Sequence, residues 1–271
     1  MIFFPQSYED LTQYLRTRPK SPLRISSATE EKYDQDTISV AKLDSVLFYE
    51  PEEMILCAQA GIKISELEKI LCQRNQWLPT LPSQETDELT LGAAVSNDSY
   101  HLRSLSCGAL RTTILGGTFC TTDGEIFTSG SRVVKSVAGY DIHRAFSRSR
   151  GRFGIILDLT LKVQPLPEIY FRCLAPLRSE KRLTEFHPTV SEQIEEMLLI
   201  ELAGYTEDIE ADIEAIKTYG IPIEVLDEKR WKDLSLKAIA LKKQDRGENS
   251  EASLLLEKLR TVFDPGGVLI S

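Results

Sequence analysis

This sequence has few histidines, and none of its cysteines are closely spaced. Its 271 residues include only three histidines, and its five cysteines never stand in a C-x-x-C spacing. No Cys/His group has the spacing of a zinc site, so we expect no metal centre. The cysteine number is odd and three lie in apolar surroundings, which favours reduced, mostly buried thiols. A lone histidine in such a chain is more often structural than catalytic.

Familiar catalytic motifs are also missing. The chain has no Walker loop, no H-E-x-x-H helix, no nucleophile elbow, and no G-x-G-x-x-G after its first predicted strand. Carboxylates are abundant, but no pair stands out from those expected on solvated helix faces. The residues alone therefore name no catalytic group and no reaction.

Long hydrophobic runs and a basic excess are absent as well. No apolar run approaches the roughly 20 residues that a membrane-spanning helix needs, and the M-I-F-F-P start is too short for a signal sequence. The net charge is −9, from 32 basic and 41 acidic residues. Because an acidic chain repels a phosphate backbone, nucleic acid is a poor candidate partner. We expect a cytoplasmic protein without a transmembrane segment.

Local patterns predict alternating helices and strands in the first part of the chain. Ser7 and Asp10 form a capping-box-like start for a helix that runs to about Arg18, and Ser65–Glu68 is a capping box that opens a second helix. Between them, strands are predicted at 23–25, 46–49 and 55–59. The predicted order is therefore α, β, β, β, α.

Stronger strand signals come later. Asp123-Gly124 lies between two short apolar runs and predicts a hairpin, and Gly154–Gln164 alternates like a strand. Pro165 ends that strand, so we place a domain boundary there, between domains 1–165 and 166–271. The second domain is predicted to be a small α+β unit with strands at 169–175, 197–203 and 221–226, and helices at 206–218, 227–243 and 250–263.

Several glycine-containing turns follow one another in a fixed order. They are Thr90–Ala93, Cys107-Gly108, Leu115–Gly117, Val137–Asp141 and Gly151–Ile155. Glycine permits positive φ and close backbone approach, as needed where amides hold a pyrophosphate. Taken singly, each is more simply explained as an ordinary turn of a β-rich domain.

Taken together, these turns resemble a known family. With Tyr49–Pro51, Ala60-Gly61 and Asp123–Glu125, they are similar to the E subunit of bacterial glycolate oxidase, which belongs to the PCMH-type FAD-binding superfamily. The most specific piece is Lys135–Asp141, where the family usually has Lys-Asn-Val-Ala-Gly-Tyr-Asp. The resemblance covers roughly residues 1–168 and returns at Phe263–Val268.

The resemblance implies an α+β fold in which two α+β subdomains clasp FAD under a small α+β cap domain. It implies phosphate contacts from serine hydroxyls and from backbone amides, and adenine contacts from the backbone at the start of a strand. It also implies assembly with a catalytic flavin subunit and an iron–sulfur subunit. The implied cofactor-binding residues are Ser26, Ser27, Ala28, Pro82, Leu91, Gly92, Ala93, Gly108, Gly154 and Ile155.

The phosphate loops depart from the family pattern. The first loop, Ser26–Thr29, contains no glycine and is followed by Glu30 and Glu31. A carboxylate about 6 Å from a phosphate costs roughly 3 kcal/mol at an effective dielectric constant of 20. In the second loop, Ala93 replaces a glycine. The family's late Arg- and Gly-rich cap segment is replaced by Ala238–Asn249, which leaves no evident clamp for a substrate carboxylate.

Two functions therefore stay open. The chain is either the FAD-binding subunit of a glycolate oxidase-like 2-hydroxy-acid oxidoreductase complex, or a cofactor-free accessory subunit that kept the fold. A basic stretch between Arg132 and Arg152, with Asp141 as its only acid, could bind an anion or an acidic partner subunit. A solvated basic face is the alternative interpretation.

Overall fold

The computed structural model describes residues 2–18, 21–26, 36–81, 88–97, 100–130, 141–245, 264 and 269–270. Its strands are β1 Ile2–Phe3, β2 Leu23–Ser26, β3 Asp36–Ser39, β4 Val46–Glu50, β5 Ile55–Gln59, β6 Gln76–Trp77, β7 Ile114–Cys120, β8 Ile126–Gly130, β9 Ile155–Lys162, β10 Gln164–Pro165, β11 Ile169–Pro176, β12 Val190–Ile194, β13 Met197–Gly204, β14 Glu224–Val225 and β15 Leu269–Ile270. Its α-helices are α1 Tyr8–Thr17, α2 Ile64–Cys72, α3 Leu91–Asn97, α4 Ser104–Cys107, α5 Leu110–Thr113, α6 Ile142–Ala145, α7 Glu180–Leu183, α8 Thr206–Thr218 and α9 Glu228–Asp245. The predicted α+β class is confirmed.

The first sheet is parallel, with strand order β1-β3-β2-β15. Helix α1 connects β1 to β2, and it begins as predicted, because the Ser7 hydroxyl accepts a hydrogen bond from the Asp10 amide at 3.1 Å. Leu11 and Leu15, four residues apart, bury one face of the helix. This sheet therefore joins the beginning of the chain to its last described residues.

The second sheet is antiparallel, with strand order β4-β5-β9-β7-β8. Strands β7 and β8 form the hairpin predicted at Asp123-Gly124. Strand β9 lies at the centre, so its residues are buried on both faces from Ile155 to Leu161. The alternation in its sequence therefore does not mark a solvent-facing side; Asp158, on the more polar face, is buried as well.

The third sheet is antiparallel, with strand order β12-β13-β11-β14. One face packs against α8 through a core centred on Cys173, Ile200 and Ile216. The other face packs against α9 and against the segment Tyr100–Cys107, which we call the 100–107 segment. Residues from the first part of the chain thus cover one face of the sheet formed by the second part.

Several sequence predictions need correction. Helix α2 begins at Ile64 with Lys63 as its N-cap, so Ser65 lies inside the helix and its predicted capping role is wrong. Strand 221–226 shortens to β14, and strands β1, β3 and β12 were missed. The predicted helix 250–263 lies outside the described residues. The domain boundary at Pro165 stays a prediction. Strand β15 belongs to the second predicted domain by sequence, but it pairs with β2 of the first sheet.

Among the described helices, none combines the length and the apolar character needed to cross a membrane.

Candidate functional site

The sequence-predicted cofactor residues fall at four places in the structure. Ser26 ends β2, the run 91–93 opens α3, Gly108 lies between α4 and α5, and Gly154-Ile155 opens β9. Ser27, Ala28 and Pro82 lie outside the described residues. The structure therefore describes residues 88–93 of the second phosphate loop and the adenine position, but only the first residue of the first loop.

The amides that open α3 already donate hydrogen bonds within the protein. The Leu91 amide donates to the Ile62 carbonyl at 2.9 Å, and the Gly92 amide donates to the Ala60 carbonyl at 2.8 Å. The Ala93 amide lies 3.4 Å from the Thr90 hydroxyl oxygen, which caps the helix. A helix N-terminus binds phosphate through free N–H groups. The described part of this loop therefore does not fit a pyrophosphate as it stands.

Glycine at position 92 has a reason that involves no ligand. A Cβ atom there would lie 2.9 Å from the Ala60 Cβ and 3.0 Å from the Ala60 carbonyl oxygen. The helix start lies so close to residue 60 that only glycine avoids this contact. The surviving glycine of the second loop is thus explained by backbone packing.

Gly154 keeps the unusual backbone expected at the adenine position. Its φ is +131°, and a Cβ there would lie 2.6 Å from the Cys120 carbonyl oxygen. Ile155 is fully buried and pairs with Cys120. Gly108 has φ +77° and ψ −177°, a backbone conformation that is essentially confined to glycine. The strand start at Gly154 therefore requires a glycine, both for its backbone conformation and for its close approach to Cys120.

The basic segment Arg148–Arg152 docks between the first two sheets. The Arg150 amide donates to the Ser96 carbonyl at 2.9 Å, and the Gly151 amide donates to the Ser96 hydroxyl at 3.0 Å. A Cβ at Gly151 would lie 3.6 Å from the Ile25 Cβ on β2. The structure thus brings this segment, the end of α3 and the end of β2 together. Arg144 forms an ion pair with Asp141 at 3.4 Å.

Sequence reasoning missed a second cluster, centred on Glu201 of β13. This carboxylate is fully buried, and Arg103 of the 100–107 segment binds both of its oxygens, at 2.7 Å from Nε and 3.0 Å from Nη2. Arg172 of β11 donates from Nε to Oε2 at 2.9 Å. The Thr189 hydroxyl lies 3.2 Å from Oε1. A bidentate arginine clamp is therefore present, but it holds an internal carboxylate, and the absence of a clamp for a substrate carboxylate stays a prediction.

Aromatic rings hold the two guanidinium groups. The Arg103 guanidinium lies 4.8 Å from the centre of the Trp77 ring, and the Arg172 guanidinium lies 5.1 Å from that of Tyr170 and 4.9 Å from that of Trp231. Burial raises the pKa of Tyr170, and the nearby Arg103 opposes that rise. The sequence contained one indication of this cluster, because Glu201 is the only charged residue in the apolar strand 197–204.

The 100–107 segment is fixed to the third sheet at two further points. The Tyr100 hydroxyl donates to Glu192 of β12, a carboxylate that is 3% exposed and lies 3.3 Å from the Lys242 ammonium. The Ser106 hydroxyl donates to the Thr189 carbonyl at 2.8 Å.

Within the described residues, no group of three or more His, Cys, Asp or Glu side chains could hold a metal ion.

Comparisons with known proteins find partial matches to an FAD binding domain, to glycolate oxidase subunits, and to D-lactate and D-2-hydroxyglutarate dehydrogenases. The family model described as "FAD binding domain" matches residues 2–130. Glycolate oxidase subunit GlcE of Escherichia coli (strain K12) is 29% identical over 178 residues, which cover 64% of this chain and 50% of that protein. Glycolate oxidase subunit GlcD of Bacillus subtilis (strain 168) is 28% identical over 126 residues, which cover 46% of this chain and 27% of that protein.

Solved structures share the fold. Alkyldihydroxyacetonephosphate synthase, in its P1 structure, aligns with a TM-score of 0.70 and 15% identity over 98% of this chain and 76% of that one. A second structure of that enzyme gives a TM-score of 0.64 at 17% identity, over 86% of this chain and 54% of that one. The chain spans half the length of its relative GlcE. Together, these matches confirm the resemblance: residues 2–130 match an FAD binding domain, the chain is similar to glycolate oxidase subunits over part of its length, and it shares the fold of the solved synthase structures.

Proposed function

We propose that this chain is an accessory subunit of a 2-hydroxy-acid oxidoreductase assembly like glycolate oxidase. The reacting flavin would be bound by a catalytic partner subunit, and electrons would pass to an iron–sulfur subunit. The role of this chain would be to hold the assembly together. Its fold and its similarity to glycolate oxidase subunits support the assembly.

The engaged amides of α3 carry the proposal. A pyrophosphate needs N–H donors, and those of Leu91 and Gly92 already donate to backbone carbonyls. Releasing both would break two internal hydrogen bonds, each worth about 0.5–1.5 kcal/mol net, before the phosphate gained any contact. Phosphate binding at this loop is therefore disfavoured in the structure described.

A second candidate is the FAD-binding subunit itself. The strand start at Gly154 keeps the backbone shape expected beside an adenine, and the family model covers the first two sheets up to Gly130. FAD would then depend on Ser26, on the rest of the first loop, and on the nearby basic segment. In either case the substrate would be a 2-hydroxy acid such as glycolate.

Flavin content distinguishes the two candidates. The chain is purified alone and as part of the co-expressed complex, and the FAD released on denaturation is measured per chain. The accessory role predicts no FAD with the isolated chain, and FAD in the complex equal to the number of catalytic flavin subunits. One FAD per isolated chain would support the second candidate instead.

Restoring the family's glycine gives a sharper version of this test. Ala93→Gly recreates the Thr-x-Gly-Gly pattern, but the amides of Leu91 and Gly92 stay engaged. We expect no gain in FAD binding by isothermal titration calorimetry. A variant that binds FAD where the natural chain does not would show that these hydrogen bonds are no obstacle.

We further propose that the segment Arg144–Arg152 contacts an anion or an acidic surface of a partner subunit. The double charge reversal Arg148→Glu and Arg150→Glu is expected to reduce co-purification with the partner. The matched control reverses Arg178 and Lys181, two exposed basic residues elsewhere on the surface. If both double variants co-purify like the natural chain, and any flavin content is unchanged, the segment is a solvated basic face.

A further inference from the structure

The two arginines around Glu201 are held in place by groups other than Glu201. Arg172 lies between the Tyr170 and Trp231 rings and also donates to Glu228 of α9. Arg103 lies over Trp77. Aromatic faces stabilise guanidinium groups and restrict their rotamers. Both guanidinium groups therefore have contacts that do not depend on the carboxylate between them.

Both oxygens of the Glu201 carboxylate accept hydrogen bonds from arginine side chains. Oε1 accepts from Arg103 and lies within hydrogen-bond distance of the Thr189 hydroxyl, while Oε2 accepts from Arg103 and from Arg172. An ionised carboxylate has about four lone-pair sites, and three of them accept from arginine N–H groups here, while the single Thr189 proton is shared between Oε1 at 3.2 Å and the Glu201 carbonyl oxygen at 3.0 Å. The Glu201 side chain is 0% exposed, so the carboxylate is shielded from water. This is the geometry of carboxylate recognition rather than of a surface salt bridge.

The position of Glu201 defines the size of the ligand. Its backbone is fixed in the middle of β13, between the buried side chains of Ile200 and Leu202. Replacing glutamate by alanine removes one CH₂ and one carboxylate group, which are the heavy atoms of acetate. The space left would be lined by two guanidinium groups and one hydroxyl. Formate and acetate fit this space, and glycolate exceeds it by one hydroxyl group.

We propose that Arg103 and Arg172 form a binding site for a small carboxylate, and that the protein fills this site with its own Glu201 side chain. The site is closed to free hydroxy acids because the internal carboxylate is covalently held and always present. The inference goes beyond the proposed accessory role and does not depend on flavin. It concerns an additional site, on the face of the third sheet that the 100–107 segment covers.

Chemical rescue tests the proposal. Glu201→Ala leaves two partly buried guanidinium groups without the carboxylate between them, so its thermal unfolding midpoint should fall well below that of the natural chain. Sodium acetate should raise the midpoint of this variant more than sodium chloride does at equal ionic strength. At an acetate concentration ten times its Kd, the folded-to-unfolded ratio rises about tenfold. The natural chain should respond alike to both salts.

Two control variants separate a specific site from a general salt effect. Glu192→Ala removes the other buried carboxylate of this face, whose cationic neighbour, Lys242, is half exposed. Glu201→Gln keeps the side-chain volume and leaves no space for a ligand. Acetate should stabilise neither of them more than chloride does. Equal rescue of either control by acetate would overturn the proposal.

Refolding covers the case in which Glu201→Ala does not fold in chloride. The variant is diluted from urea into acetate or chloride, and the yield of folded protein is measured by near-UV circular dichroism. A higher yield in acetate supports the site, and equal yields in the two salts overturn it. Because the assay contains no flavin and no partner, its failure leaves the accessory role to be judged by flavin content alone.

Discussion

Tyr8→Phe tests how the first helix is joined to the central strand of the second sheet. The Tyr8 hydroxyl of α1 donates to the Asp158 carboxylate of β9 at 2.8 Å, and Asp158 is 5% exposed. The substitution deletes only the hydroxyl group. The carboxylate then keeps the Thr118 amide at 3.2 Å and the Cys57 thiol at 3.7 Å as hydrogen-bond donors.

The expected loss follows from the charge and burial of the acceptor. A hydrogen bond to a charged group contributes about 1.5–3 kcal/mol, so Tyr8→Phe should lower the free energy of unfolding by that amount. For a chain of this size, the melting temperature should fall by roughly 3–12 °C. Urea unfolding followed by circular dichroism measures the change directly.

Tyr14→Phe is the matched control. It makes the same chemical change on the same helix, and its ring stays stacked on Phe3 at 4.0 Å between centroids. We expect this variant to lose less than about 0.5 kcal/mol. Equal destabilisation by both variants would refute the reasoning, because the loss could then not be assigned to the bond with Asp158.

The pH dependence gives an independent check of the same contact. Burial, followed by the nearby Asp158 charge, raises the pKa of Tyr8 well above that of a free tyrosine. The folded protein therefore keeps this proton while the unfolded chain releases it, so stability is lost as pH rises above about 10. Tyr8→Phe should remove part of that alkaline loss, as measured by urea midpoints on both sides of this pH.

Three further predictions concern the core and its titratable groups. Gly154→Ala should lower the free energy of unfolding by about 1–3 kcal/mol in urea titrations, because alanine disfavours φ +131° and its Cβ would meet the Cys120 carbonyl. Burial lowers the pKa of His143, so stability should be lost as pH falls below about 6.5, and His143→Gln should flatten that dependence; an unchanged slope would contradict the assignment. Burial raises the pKa of Cys120 and Cys173 to about 12, so brief alkylation of the native protein should label the exposed Cys72 and spare these two, as peptide mass spectrometry would show.

Elements with a clear local pattern were predictable from the sequence. Helix α1 carries its own cap at Ser7, and β9, β11 and β13 are long apolar strands bounded by turn residues. Strand β1 was missed because it has only two residues, and β3 because its sequence Asp-Thr-Ile-Ser has a single large apolar residue. Short strands of this kind have no periodicity that could identify them.

The candidate site was only partly predictable. Gly92 matched a phosphate-loop pattern, but the atoms that require a glycine there belong to Ala60. Glu201 was visible as a lone charge in an apolar strand, yet its partners Arg103 and Arg172 lie 98 and 29 residues away. Sequence patterns report local geometry, whereas both findings depend on contacts between distant segments.

Anaerobic reduction of flavin by glycolate tests the accessory role most directly. The purified chain is supplied with FAD, mixed with excess glycolate without oxygen, and the flavin absorbance is followed before and after the partner subunits are added. Positioning can account for roughly 7–11 kcal/mol of a reaction barrier, and the sequence offers no evident clamp for a substrate carboxylate in place of the family's late Arg- and Gly-rich segment. We predict no bleaching by the isolated chain and bleaching once the partners are present. Rapid bleaching by the isolated chain would contradict the account and identify it as an oxidase in its own right.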